Sequence, residues 1–228
     1  NTSGYKSYYH EKVTLTADRE FTVSRAGKKK KYKAGEEISF LFEKEKGSDD
    51  RILVETVGGE GKITLCSISR TCGAPAYRGS MEIVAAADGL IVVNELSMEE
   101  YLYAVIPSEM PTSYGDEALK VQAVCARSYA YNQLMASRFR SYGAHVDDSV
   151  SCQVYNNVSE DEASILAVKE TYGLVAAQGG SVITAYYFST SCGHTASYHE
   201  VWEGATPLSY LTGCLQNEDG EEMDFSSE

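Results

Sequence analysis

Short runs in which apolar and polar residues alternate fill the first third of the chain. Residues 12–16, 20–24, 37–42, 51–57 and 62–68 are rich in Val, Ile, Phe and Thr and read as strands. Turn clusters separate them: Ala26-Gly27, Gly47-Ser48-Asp49-Asp50 and Gly58-Gly59. Four consecutive lysines at 28–31 fall in this stretch and read as a solvated hairpin tip. From Tyr77 the period changes. Residues 81–86 and 90–96 flank Asp88-Gly89, a hairpin signal. Ser97-Met98-Glu99-Glu100 has the form of a capping box and opens a short helix that Pro107 is expected to end.

A longer helix is expected over residues 115–137. Its row Leu119, Ala123, Ala126, Ala130, Leu134 keeps one face apolar, and Val121, Val124 and Cys125 extend apolar character to other faces, which predicts an interior helix. A second box, Ser159-Glu160-Asp161-Glu162, opens a helix expected to reach Tyr172, with Gly173 at its C-terminal cap. Two further short strands flank Gly179-Gly180. A polar loop, residues 189–195, follows with neither helical nor strand period, the kind of segment that carries chemistry. The fold class expected is α+β: a β-rich N-terminal part, 1–75, packed beside a mixed core, 76–216, built around one long buried helix, with a substrate groove between them and an acidic tail at 217–228.

A hydrophobic fraction of 43% supplies a real core, which removes disorder as the default reading. The net charge of −13 argues against bulk electrostatic binding to nucleic acid, which draws on counterion release by Lys and Arg. No run reaches the ~20 apolar residues of a spanning helix, so membrane attachment is expected only through a segment absent from this chain. The chain opens at Asn1 without a leader pattern, as expected if a leader was cleaved, removed or never present. Of six cysteines, Cys66 with Cys72 and Cys192 with Cys214 are candidate extracytoplasmic disulfides, Cys125 reads as a buried thiol, and Cys152 is left over.

The strongest candidate for chemistry is Glu109, in Pro107-Ser108-Glu109-Met110-Pro111. Two flanking prolines predict a stiff, non-helical backbone under this carboxylate. Ile106, Met110 and Tyr114 are placed to desolvate it, which suits a general acid. The alternative reading is a cap for the helix that follows.

These residues, with Tyr77-Arg78-Gly79, Val92-Val93-Asn94, Glu100-Tyr101-Leu102, Gln122-Ala123-Val124, Ala126-Arg127-Ser128-Tyr129-Ala130, Gln153-Val154-Tyr155, and Ser189, Ser191, Gly193 and Thr195, resemble the stage II sporulation protein D (SpoIID) and LytB family from Tyr77 to Leu211. The resemblance implies a peptidoglycan lytic transglycosylase outside the cytoplasm, with Glu109 as catalytic acid/base, or a non-catalytic module that enhances a cell-wall amidase. It implies glycan contacts from Gln122, Arg127 and Tyr129 on the long helix and from Ser189, Ser191, His194 and Thr195 in a loop expected to face Glu109 across the groove. Gln153 and Tyr155 alternate along an extended segment, share one face, and could offer an amide and an aromatic platform to a sugar. For Arg127 a structural ion pair competes with a substrate contact, and for Tyr155 an ordinary core position does. A hydrolase using water needs a second carboxyl group about 5–9 Å away, for which Asp147 and Asp148 are the candidates. Some relatives bind zinc through His and Cys. Here only His145 and Cys152 hold comparable places, and although Cys192 and His194 could complete a site, the expectation is no metal and no cofactor.

Overall fold

The structure, a computed structural model, describes residues 7–43, 51–136 and 138–215. The expected turn at 47–50 and the acidic tail at 217–228 lie outside these residues. The fold is α+β. Strands β1 (Lys12–Ala17), β2 (Phe21–Arg25), β3 (Lys28–Tyr32), β4 (Ile38–Leu41), β5 (Arg51–Thr56), β6 (Ile63–Leu65), β7 (Ala76–Tyr77), β8 (Ser80–Ala86) and β9 (Gly89–Glu95) form two sheets. One has the order β4-β1-β6-β7, the other β3-β2-β5-β8-β9.

Period-two alternation decides which way each strand faces. In β1 Val13, Leu15 and Ala17 are buried, while Lys12 is exposed; in β5 Ile52, Val54 and Thr56 are buried. Register carries these rows across the sheet: Val23 pairs with Val54 and Val54 with Met81, and Ile52 pairs with Ile83 and Ile83 with Val92. The β-rich first third and the core that begins at residue 76 therefore share one five-stranded sheet.

The lysine run is not a hairpin tip. It forms β3, an edge strand, because Ala26 and Gly27 both take left-handed φ, 48° and 73°, and complete the turn before it. Lys31 meets Glu20 at 3.0 Å and Lys29 meets Glu55 at 3.5 Å, and exposed charge on an edge discourages pairing with another chain. Gly79, at φ 72°, lets the turn into β8 pass against the end of β9: a Cβ there would lie 2.1 Å from the Glu95 carbonyl oxygen.

Three helices follow: α1 (Met98–Glu109), α2 (Asp116–Met135) and α3 (Glu162–Glu170). Ser97 caps α1 as expected, but the helix runs through Pro107 to Glu109 instead of ending there. The ring costs Tyr103 its intrahelical donor, yet the last turn is held by Met110 N–H donating to the Ile106 carbonyl at 2.9 Å and Ser108 Oγ donating to the Ala104 carbonyl at 2.7 Å. Nor is α2 buried all round. Leu119, Ala123, Ala126 and Ala130 face the interior, while Val121 is 63% exposed and Leu134 43%: an alanine-rich face packs closely on one side and leaves the other to solvent. α3 is capped by Asp161, which accepts from the N–H groups of Ala163 and Ser164, not by Ser159. Glu160 is thereby released for a different task.

The chain divides into two compact units, the first running to Ala176 and including Val182–Ala185, the second comprising Ala177–Ser181 and the chain from Tyr186 onward. A short hairpin, β10 (Ala177–Gln178) with β11 (Ser181–Val182), stands at the divide, and α4 (Tyr198–Val201) belongs to the second unit.

Candidate active site

Glu109 is the last residue of α1, so its side chain shares a face with Val105 and Ile106, both fully buried. This helical placement, not a stiff irregular backbone, gives the carboxylate one covered side and leaves it half-buried. Of the three residues expected to desolvate it, Ile106 is buried, Met110 is half-buried and Tyr114 stands 64% exposed. The backbone N–H of Val154 donates to Glu109 Oε1 at 2.5 Å.

That donor is held in place from both sides. Gln153 is 1% exposed: its Oε1 accepts from the Tyr101 hydroxyl at 3.1 Å and its Nε2 donates to the Ala126 carbonyl at 3.3 Å, bridging α1 and α2. Tyr155 is also buried, donates from its hydroxyl to Asn94 Oδ1 at 2.7 Å, and packs its ring on Tyr101 and Tyr77 at 5.0 and 5.7 Å. Burial pushes the Tyr155 phenol well above its ordinary range, so it stays a donor. Gln153 and Tyr155 do share one face of an extended segment, but that face is the core, and the groups brought to Glu109 are the backbone between them.

The same segment continues along the end of α1. Asn156 N–H donates to the Ala104 carbonyl at 3.2 Å, and Ser108 Oγ accepts from the N–H groups of Asn157 and Val158 at 3.1 and 3.2 Å. Asn156 takes a left-handed φ of 56° and ties its amide to the Ala76 carbonyl at 2.7 Å. Ser108, Asn156 and the Val154 N–H were not read as functional from the sequence. The Asn156-Asn157 pair, tolerant of left-handed backbone, was the available signal for a sharp bend; a backbone donor leaves none.

Arg127 is 3% exposed and makes an ion pair with Glu99, Nε to Oε1 at 2.9 Å and Nη2 to Oε2 at 2.7 Å. Its remaining donors reach the carbonyls of Leu174 at 2.9 Å, Val168 at 3.3 Å and Ala123 at 3.4 Å. Of the two readings the sequence left open, the structural ion pair is the one formed: Arg127 binds α1, α2 and α3 together. Tyr129 is buried on the same helix, and Gln122 is buried with its Nε2 lacking a hydrogen-bond partner.

The carboxylates considered as partners for Glu109 are engaged elsewhere. Asp148 pairs with Arg70 at 3.0 Å, and Asp147 accepts from the Tyr8 hydroxyl at 3.0 Å and from Ser149. Both line a cavity of about 520 Å³ walled by β9, Tyr101, Tyr142 and Phe139, and Glu109 is not among its lining residues.

Ser189, Ser191, His194 and Thr195 belong to the second unit, whereas Glu109 belongs to the first. Ser189, Ser191 and His194 are exposed. Thr195 is half-buried, donating its N–H to the Cys214 carbonyl at 2.8 Å and accepting from the Cys214 N–H at 2.9 Å. All six cysteines are free thiols, so the candidate pairs Cys66 with Cys72 and Cys192 with Cys214 are not bonded. Burial pushes the Cys152 thiol up, which disfavours the thiolate a metal needs, and His145 is exposed. Among the described residues no three His, Cys, Asp or Glu side chains gather as a metal-holding group, and no helix is long and apolar enough to cross a membrane.

A family model described as stage II sporulation protein (SpoIID) matches residues 86–177, which take in α1, α2, α3 and the segment around Val154. An uncharacterised protein of Brachyspira hyodysenteriae is 38% identical over 138 residues, 60% of this chain and 37% of the relative. The amidase enhancer of Bacillus subtilis is 40% identical over 106 residues, 46% of this chain and 14% of the relative. Stage II sporulation protein D of Bacillus amyloliquefaciens is 33% identical over 168 residues, 67% of this chain and 45% of the relative. The chain thus spans less than half the length of these curated relatives.

Proposed function

For a chain that belongs to the SpoIID family, we propose a lytic transglycosylase acting outside the cytoplasm on the glycan strands of peptidoglycan, with Glu109 as its acid/base. The observation that carries this reading is the carboxylate itself: half-buried at the end of α1, above two fully buried side chains, and oriented by the Val154 N–H. Protonated Glu109 gives its proton to the glycosidic oxygen as the bond from N-acetylmuramic acid C1 breaks. The carboxylate then takes the proton of the same sugar's 6-hydroxyl, whose oxygen closes on C1 as a 1,6-anhydro ring. No water is consumed, so one carboxyl group suffices. The engagement of Asp147 and Asp148 with other partners fits a mechanism without a second acid.

We assign sugar contact to Ser189, Ser191, His194 and Thr195, while the buried Gln122, Gln153, Tyr155, Arg127 and Tyr129 belong to the framework and not to a sugar-contacting surface. The names of the sporulation relatives favour sporulation as the setting of this activity.

Glu109→Gln keeps the shape and removes the proton. With purified wall sacculi, mass spectrometry should detect anhydro-muropeptides from the parent protein and none from the variant; equal release from both removes the assignment. A second reading, a wall-binding module that stimulates an amidase, is favoured by the similarity to an amidase enhancer. Glycan strands stripped of stem peptides separate the two: binding without anhydro ends supports the module.

A further inference from the structure

The second unit contains no buried side chain among its described residues, yet it gathers three aromatic rings. Trp202 lies 4.7 Å from both Tyr186 and Tyr198, which are 5.8 Å from each other, with interplanar angles of 22° to 35°. These separations describe a triangle and not a column, so no ring is sandwiched between the other two. Tyr186 is 39% exposed and Trp202 42%. The cluster therefore does not bury itself as a core would.

Its backbone is nevertheless well fixed. Ser197 and Glu200 form a reciprocal capping box at the start of α4, Tyr198 N–H donates to the Leu211 carbonyl at 2.9 Å, and Gly213 N–H donates to Ser197 Oγ at 2.9 Å. Gly213 is the residue the close approach demands, since a Cβ there would lie 2.5 Å from the Thr195 carbonyl oxygen. The segment that carries Tyr198 and Trp202 is thus fixed before any ligand arrives, which lowers the entropic cost of binding.

We infer that Tyr186, Tyr198 and Trp202 form a stacking platform for a neutral amino-sugar chain, a glycan subsite in the second unit. The inference rests on the glycan reading above and names a binding surface that reading does not use. The C–H faces of a pyranose are weakly positive and suit the negative face of an aromatic ring. The indole N–H supplies a hydrogen-bond donor for sugar hydroxyls and acetamido carbonyls. The three side chains carry no formal charge, and the chain's net charge of −13 disfavours a polyanionic ligand. The other ligand that aromatic ridges accept, an extended proline-rich peptide, serves as the competing probe.

Trp202 is the one tryptophan in the sequence, so its emission reports on this platform directly. The full chain carrying Glu109→Gln is titrated with an oligomer of β-1,4-linked N-acetylglucosamine. A saturable change in Trp202 emission is expected, with affinity about tenfold weaker in Tyr186→Ala, if stacking on a sugar is worth what stacking on a base is. Tyr186→Phe should bind nearly as the parent does, and circular dichroism should show all variants folded. Flat emission, an affinity unmoved by Tyr186→Ala, or a response to the proline-rich peptide in place of the sugar overturns the platform. The sacculus assay is run in parallel on protein retaining Glu109. Anhydro products with flat emission sink the platform alone; an emission response without anhydro products sinks the transglycosylase alone.

Discussion

The two compact units place their functional side chains by opposite means. In the first, buried polar groups fix the backbone around Glu109: Gln153 spans α1 and α2, Arg127 joins three helices, and Ser108 ties the end of α1 to residues 157 and 158. In the second, none of the described side chains is buried, and local devices such as the Ser197–Glu200 capping box and the glycine at 213 do the work. The difference follows from the tasks proposed for each. An acid/base must hold one atom within a fraction of an ångström, which calls for packing from several elements. A stacking surface tolerates sliding and needs only that its rings stay presented.

The sharpest way to break this contrast is at Arg127. Arg127→Met keeps much of the side chain's bulk but leaves Glu99 without its guanidinium and takes the Arg127 donors away from the carbonyls of Leu174 and Val168. Removing one partner of a buried pair typically costs about 3–5 kcal/mol. Urea denaturation followed by far-UV circular dichroism, which reads α1 to α3, should show a loss of that order. A change under 1 kcal/mol would mean the clasp does not hold the first unit together.

Gln153 comes next, because it separates positioning from binding. Gln153→Leu deletes the hydrogen bonds to the Tyr101 hydroxyl and to the Ala126 carbonyl, a cost of about 2 kcal/mol. If Gln153 acts through the Val154 N–H, kcat for release of anhydro ends should fall with KM little changed. A rise in KM at constant kcat would return Gln153 to the sugar-contacting role first expected of it.

The layout of strands and helices was legible wherever period and caps agreed. The hairpin at Asp88-Gly89 and the Ser97 cap lie where pattern and turn chemistry place them. The lysine run was misread because charge is a poor guide to backbone: β3 forms through the ladder of β2, with lysines suiting an edge. The end of α1 was misread because one missing donor at Pro107 weighs less than a buried face that includes Tyr101, Leu102, Val105 and Ile106. Glu109 itself stood out by its neighbours. The faces of Gln153 and Tyr155 could not be assigned, since alternation shows which residues share a face and not whether that face meets core or solvent.

The smallest of these effects concerns Glu160, the residue freed when Asp161 took the capping role. Its carboxylate meets Arg78 at 2.8 Å and Lys62 at 2.9 Å, joining the start of α3 to segments more than 80 residues earlier. Burial alone would raise its pKa, but the hydrogen bonds from Arg78 and Lys62 outweigh burial and hold the carboxyl below the ordinary glutamate range. A depressed carboxyl lends stability that is fully present above the unfolded-state value, about pH 4.3, and is lost as pH falls through the lower folded-state value. Glu160→Gln should therefore cost about 1–2 kcal/mol at neutral pH and flatten the acid limb of the stability profile. Parallel acid limbs for parent and variant would show that the proton is taken up elsewhere. Trp202 emission reports on the second unit, where the Ser197 backbone N–H holds the exposed Glu200 carboxyl low as well, so that unit has an acid response of its own and Glu160→Gln should leave it unchanged.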